Sequence, residues 1–489
     1  MHNDEAVNAI KFGQLWSHGT YQYDPNEYHG PTLHYATLAI EKLLRAPGFD
    51  QFTPARLRLV TVLFGVGLIL LVPLVADGFG RSGAVWAALF TAVSPAMVFY
   101  SRDFIHETLL VFFVFLTAAA SWRYWRGRQI AWGLLAGAGF GLLAATKETF
   151  VLNLAAAILA LALNLGWNRF LDASRAPAKP RGIAPWHIVA ALCAGLLVAV
   201  ALFSSFFTNP AGPKDALRAF AIWLPHAGAN SLHIHPWYFY LHRLLYFHPA
   251  RGPVWTEVLI LFLGIVGMRS GFVRAELAGA NASLVRFLAF YTFLLTAAYS
   301  FLSYKTPWCL LSFWHGMILL AGVGAAVLVD HARPGWPRLW MGMLVVAGAA
   351  QLAWQAWQTA VPYSADRRNP YVYAQTSPDL LSLLHRVEDL AAVHPDGRQM
   401  VIKVIAANGD YWPLPWYLRS FNSVGWWSEV PPDPYAPVII VSSSFHAGLD
   451  EHKSHIMAGY FELRPQVFLE IYVETNLWQA MMAAQARLP

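Results

Sequence analysis

Six groups of residues in this chain carry side chains able to do chemistry. The first is the acidic pair Asp4-Glu5. A carboxylate there could act as a general base, taking a proton from an attacking hydroxyl; the plainer reading is a solvated chain end, since ends are usually mobile. The second is Tyr23-Asp24-Pro25 followed by Tyr28-His29-Gly30-Pro31, a turn former with aromatics and an imidazole, or simply a loop turn. The third runs from Ser94-Pro95 through Arg102-Asp103 to His106-Glu107. Arg102 could hold a phosphate oxygen through its planar donor fork, and Glu107 could bind a metal or orient an acceptor. The alternative is an Arg102–Asp103 pair capping a helical hairpin. The fourth is Lys147-Glu148, either a structural ion pair or part of a binding site. The fifth is Tyr304-Lys305-Thr306-Pro307-Trp308, where a lysine could snorkel to an interface or meet a phosphate as a point charge.

The sixth group lies in residues 207–253, where His226, His233, His235, His242 and His248 are interleaved with Trp237, Tyr238, Tyr240 and Tyr246. His-x-His invites a metal reading, but carboxylates are sparse and no cysteine is nearby. An interfacial amphipathic helix fits better, since Trp and Tyr favour the headgroup zone of a bilayer.

The elements that must position these groups are membrane helices. Of 489 residues, 57% are hydrophobic and 13% charged, about half the charged share of a soluble protein. Apolar runs of about 18 or more residues span a ~30 Å hydrocarbon core. Ten such runs are read at about 57–76, 84–101, 105–122, 130–146, 149–166, 186–206, 254–268, 286–303, 308–329 and 339–358. The net charge of +6 does not point to nucleic acid, because the basic residues sit in short loops between apolar runs. Arg123, Arg126 and Arg128; Arg169, Arg175, Lys179 and Arg181; Arg269, Arg274 and Arg286; and Arg333 and Arg338 all fall on one side of the ten-helix count. The positive-inside rule makes that side cytoplasmic. All six groups then lie on the extracytoplasmic side, where Arg56 and Arg58 break the rule.

Cys193 and Cys309 lie in apolar runs and do not read as disulfide partners. Met1 is followed at once by His2-Asn3-Asp4-Glu5, so no cleavable signal peptide is read. Residues 361–489 mix charge, Pro and short alternating runs. Ser377–Val393 reads as a helix with Ser377 as N-cap and Pro378 at the first helical position. Met400–Ala406 and Pro437–Ser443 read as buried strands, Tyr460–Glu474 as extended and the final stretch as helical. The expected fold is an α-helical polytopic membrane core over 1–360, with a small C-terminal extracytoplasmic α/β domain over 361–489.

Ionisable groups at membrane depth are expensive and mark functional sites. Gathered on one face with aromatics, they suit a substrate with a polar head and a lipid tail. The strings HNDEAVNA, YDPNEYHGPTLHY, SPAMVFYSRDFIHETLLVFF, ATKETFVLN, HPWYFYL, YKTPW and DYWPLPWYLR, in this order over most of the chain, resemble the GT-C membrane glycosyltransferases. These include the protein O-mannosyltransferases and the lipid A aminoarabinose transferase; the flippase-activity-associated branch related to archaeal N-glycosylation proteins is the most similar. The resemblance implies inverting transfer from a polyprenyl-phosphate sugar to a hydroxyl on lipid, glycan or protein. Asp4 would be the base, with Glu5 beside it, and Glu107 the second-loop acid. Arg102, Lys147 and Lys305 would be candidates for holding phosphate. The family's helix before the acidic pair is not read in this sequence.

Asp24, Tyr28, His29, Asp103, His106, Glu148, His235, Trp237, Tyr238 and Tyr304 complete the expected substrate site. No cofactor is required on this reading, and a monophosphate donor makes an obligatory divalent metal uncompelling. A multi-pass plasma-membrane protein is implied. Two other classes stay open at this point. A flippase or flippase accessory for lipid-linked sugars would need access to both faces and often shows inverted repeats, which are not seen here. A non-catalytic scaffold would use its soluble domain to bind a partner.

Overall fold

The computed structural model describes all residues except 27–28, 47, 171–181, 183, 227–232, 274–276, 452 and 487–489. Tyr28, Arg175, Lys179, Arg181 and Arg274 therefore lie outside the described residues.

Two helices precede the first span, α1 (Asn3–His18) and α2 (Thr32–Leu43). The membrane core follows with α3 (Pro54–Leu71), α4 (Ala76–Phe79), α5 (Arg81–Val93), α6 (Pro95–Tyr100), α7 (Glu107–Gly127), α8 (Ile130–Ala144), α9 (Phe150–Phe170) and α10 (Pro185–Phe203). It continues with α11 (Gly212–His226), α12 (Phe239–Leu245), α13 (Val258–Phe272), α14 (Ala282–Phe301), α15 (Leu311–His331) and α16 (Trp336–Ala360). Among the described residues, seven helical stretches are long and apolar enough to cross a membrane: Pro54–Phe79, Glu107–Gly127, Phe150–Arg169, Pro185–Phe203, Ala282–Phe301, Pro307–His331 and Trp336–Ala360. The chain is an integral multi-pass membrane protein.

The other three expected spans are helical but short. The 84–101 run is split because Pro95 has no N–H to continue α5, and the Ser94 hydroxyl instead caps α6 at the Met97 amide. The 130–146 run stops at Ala144, and 254–268 starts only at Val258 because Trp255 pairs with Phe247.

α15 is the axis of the core. Leu311 to Val327 is buried without a break, packed between α5 and α13. Small residues permit this: a Cβ on Gly324 would collide with the Leu263 carbonyl, and one on Gly267 with the Leu320 carbonyl. Close backbone approach of this kind replaces the hydrophobic drive that lipid cannot supply. By contrast Ile158, Leu161, Leu165, Leu192 and Leu196 on α9 and α10 are exposed, as lipid-facing residues would be.

Beyond α16 the chain forms α17 (Asp379–Val393), β1 (Ile402–Ile405), α18 (Leu414–Tyr417), β2 (Val424–Trp427), β3 (Val438–Ser442), β4 (His455–Arg464), β5 (Val467–Glu474) and α19 (Thr475–Gln485). The sheet order is β2-β1-β3-β5-β4. β1 runs parallel to β2 and β3, whereas β5 is antiparallel to β3 and β4. α17 begins one residue later than the sequence reading, with Pro378 as N-cap. The extended 460–474 stretch is the greater part of a hairpin, and β2 was not anticipated; its Val-Gly-Trp-Trp sequence lacks an alternating pattern.

The sheet domain reaches back to the start of the chain. Trp416 is 1% exposed and packs its ring against Phe49, 5.7 Å between centroids. Arg419 donates to the backbone carbonyls of Asp50 and Phe52 at 3.2 and 2.8 Å.

Candidate active site

α1 is a capped helix, not a loose terminus. His2 Nδ1 accepts from the Asp4 amide, and the Glu5 carboxylate accepts from the His2 amide at 2.7 Å, a reciprocal capping box. Gly19, at φ 73°, ends it. The helix buries Glu5, Ala6, Ala9 and Phe12, which turns the two neighbouring acids in different directions.

Glu5 is completely buried. Besides the His2 amide, Arg58 donates to it from Nε and a terminal nitrogen, both at 2.6 Å, and the Phe104 amide adds a fourth donor at 2.8 Å. Burial pushes the Glu5 carboxyl up, but the Arg58 guanidinium overrides it and holds the group at about 2. Such a carboxylate has little capacity left for a substrate proton. Asp4 is exposed, and its carboxylate makes no hydrogen bond or ion pair among the described residues. Its charge acts on His2, His233 and Tyr373.

The Arg102–Asp103 cap does not form. Arg102 donates to the Ala360 carbonyl at the end of α16. Asp103 is 7% exposed; burial, together with the nearby Glu5 carboxylate, raises its carboxyl to about 8 against the opposing pull of Arg58.

Lys147 and Glu148 do not pair with each other either. Each takes a partner from elsewhere: Lys147 pairs with Glu107 at the start of α7, and Glu148 lies 3.0 Å from His29 Nδ1. Burial opposes the Lys147 charge, but Glu107 more than compensates and its pKa stands well above the ordinary value. His106, 1% exposed, lies 3.1 Å from the Gly30 carbonyl through Nε2. Its ring meets those of His29 and His34 at 5.0 and 5.8 Å, and burial plus the neighbouring His29, His34 and Lys147 charges push its pKa well down. Asp24 is exposed and closes its turn by accepting from the Asn26 amide at 2.8 Å.

The histidine loop meets the Tyr304–Trp308 segment. The Lys305 amide donates to the His233 carbonyl at 2.8 Å and the His235 amide to the Ser303 carbonyl at 3.2 Å. Lys305 does not snorkel: it is 1% exposed, and its ammonium donates to the His235 and Leu302 carbonyls. The Tyr373 hydroxyl lies 2.7 Å from His233 Nδ1 and 3.2 Å from His235 Nε2. Trp308 bridges this cluster to α1, its ring 5.9 Å from Tyr373 and 5.1 Å from His2. Tyr304, Trp237 and Tyr238 are 41, 62 and 50% exposed. Among the described residues no three His, Cys, Asp or Glu side chains gather as a metal would require.

The structure thus brings His235, Tyr304 and buried Lys305 together near Asp4, and gathers Glu107, Lys147, Glu148 and His106 into a buried cluster with partly exposed His29 at its edge. Sequence reading overlooked His2, Lys11, His34, Arg58, Tyr373 and Gln375. Arg58 had left a trace: Arg56 and Arg58 were the exceptions to the charge rule, and each pairs with a buried acid, Glu41 and Glu5.

The family model for dolichyl-phosphate-mannose-protein mannosyltransferase matches residues 31–177. No protein of curated function matches the sequence. Two crystal structures of ArnT from Cupriavidus metallidurans superpose over almost the whole chain at 13% identity. In the apo state the TM-score is 0.60, covering 95% of this chain and 93% of that one. Bound to undecaprenyl phosphate it is 0.61, covering 97% and 94%. The chain has the GT-C fold. With that fold go the helical membrane core and the small C-terminal sheet domain, as the motif order implied.

Proposed function

We propose that this protein is a membrane glycosyltransferase that moves a sugar from a polyprenyl phosphate to a hydroxyl acceptor, with inversion. The observation that carries the proposal is the division of labour on α1, where Glu5 is consumed by Arg58 and Asp4 is left exposed, with no partner among the described residues. Asp4 takes the proton from the acceptor hydroxyl. The oxygen attacks the anomeric carbon from the face opposite the phosphate, the new C–O bond forms, and the old one breaks with its electron pair leaving on the polyprenyl phosphate. Donors placed where that charge develops lower the barrier. The ArnT structure that holds undecaprenyl phosphate supports a lipid-linked donor, and the motif order of the sequence favours the flippase-activity-associated branch. The acceptor is a hydroxyl on lipid, glycan or protein. The enzyme works at the extracytoplasmic face of the plasma membrane, on the side carrying the C-terminal domain.

The test is transfer or release of sugar from a panel of radiolabelled polyprenyl-phosphate sugars by purified protein and its Asp4→Asn variant. Turnover lost in the variant, with expression and melting unchanged, is expected; equal turnover in the two would refute the assignment.

A further inference from the structure

A cavity of about 180 Å³ lies beside the N-terminal end of α1, bounded by the Phe99–Asp103 turn, the end of α16 and the stretch from Ser364 to Thr376. One ordered water takes about 30 Å³, so the space admits a group several times larger. The buried unsatisfied side-chain atoms of its lining residues are both donors. His2 gives Nδ1 to the Asp4 amide, so a neutral ring carries its proton on Nε2; that nitrogen is buried and makes no hydrogen bond. Gln375 gives Oε1 to the Tyr373 amide at 2.6 Å, which leaves its amino group as the unspent end, and that nitrogen too is buried without a partner. Arg102 adds a guanidinium group to the wall, and Arg58 lines it while paired with Glu5. The one carboxyl in the lining, Asp103, is raised to about 8, so near neutral pH it is mostly the acid and can itself donate.

Buried donors without acceptors cost about 1–3 kcal/mol each and are rare in folded proteins. Two on residues that line one cavity, beside the Arg102 guanidinium, call for a ligand that accepts hydrogen bonds and carries negative charge. Arginine forks suit the oxygens of phosphate and carboxylate. The cavity's far wall, Ser364 to Thr376, lies beyond the last membrane helix. Its apolar lining is limited to Met1, Phe99, Ala360 and Ala365, too little for a prenyl chain.

We propose that this cavity is an oxyanion subsite for an acidic group of the acceptor, a phosphate or carboxylate, held beside the hydroxyl that Asp4 deprotonates. The proposal rests on the transferase reading for its role, and on the buried unpaired donors of His2 and Gln375 beside Arg102 for its chemistry. His2 and Gln375 supply neutral donors, while Arg102 supplies the charge.

Inorganic phosphate is the probe, titrated by calorimetry into the full chain in phosphatidylcholine nanodiscs without any sugar donor. Saturable binding is expected, weakened about tenfold or more by Arg102→Gln and by Gln375→Leu, the loss of one charge-assisted or one buried hydrogen bond. Gln375→Glu keeps the size of the side chain and places a negative charge in the cavity; it should abolish binding with the melting temperature unchanged. No saturable binding to the parent protein, or binding unaltered in all three variants, would overturn the proposal. A short-chain polyprenyl phosphate is then added. Competition with phosphate would assign the subsite to the departing lipid and overturn the acceptor assignment, whereas simultaneous binding supports it. A protein that binds phosphate through Arg102 and Gln375 yet transfers no sugar from any donor would refute the transferase reading and leave the oxyanion chemistry standing.

Discussion

The rim around Asp4 and the interior behind it use the same residue types in opposite ways. In the interior three acids of the site are matched: Glu5 with Arg58, Glu107 with Lys147, Glu148 with His29. At the rim Asp4 has no such partner, although it is the immediate neighbour of Glu5 in sequence. Consecutive helix residues point about 100° apart, so one carboxylate enters the core as its neighbour leaves it. A charge that is buried and paired holds elements together, because removing either partner strands the other in a medium that cannot solvate it. A charge left exposed on a rigid, capped helix remains available to exchange a proton.

The comparison breaks most sharply at the two acids. Asp4→Asn should lower turnover by about 10²–10⁴-fold, the usual contribution of a general base, with no change in melting temperature. Arg58→Met should act in the opposite sense, destabilising by about 3–5 kcal/mol because Glu5 is left uncompensated, seen as loss of folded protein in detergent. Within the interior, Lys147→Met should cost a similar amount, and adding Glu107→Gln should restore most of it; a thermal-melt double-mutant cycle measures the coupling, and an additive result would mean that the pair contributes nothing.

The smallest effect concerns pH. Burial first, with neighbouring Lys11 and His29 charges, depresses His34 to about 3 from its ordinary 6.5. A lowered folded pKa means the unfolded chain binds the extra proton. The associated stability is therefore full above pH 6.5 and is lost at about 1.4 kcal/mol per unit as pH falls from 6.5 towards 3. His34 stacks on Tyr21, with ring centroids 5.0 Å apart, so Phe is a shape-compatible replacement. His34→Phe should flatten the melting temperature between pH 6.5 and 5, and an unchanged slope would exclude this histidine as a source of acid sensitivity.

Much of this organisation was legible beforehand. Length and apolarity marked the ten helical runs, since a bilayer imposes both independently of what packs against what. Three runs fell short, 84–101 at Pro95, 254–268 at the 247–255 pairing and 130–146 by stopping at Ala144. The strands of the C-terminal domain showed wherever they alternate or are fully buried, and β2 was hidden because it does neither. The six chemical groups were visible as residue types, but their pairings were not. Adjacent Arg102 and Asp103 suggested one ion pair, and adjacent Lys147 and Glu148 another; neither forms, because neighbours at a helix end face different ways and longer-range partners come closer.

What the sequence determined by itself, then, is the class of the molecule and the order of its motifs. These depend on composition and local periodicity, which are written along the chain. Which acid is locked and which is open, which lysines are already spent on carbonyls and carboxylates, and that His2, Arg58, Arg102 and Gln375 line one cavity were decided only by the tertiary structure. Those outcomes depend on residues brought together from distant parts of the chain, such as Glu5 with Arg58 and His2 with Gln375. They also depend on burial, which turns a common side chain into either a structural pair or an unsatisfied donor.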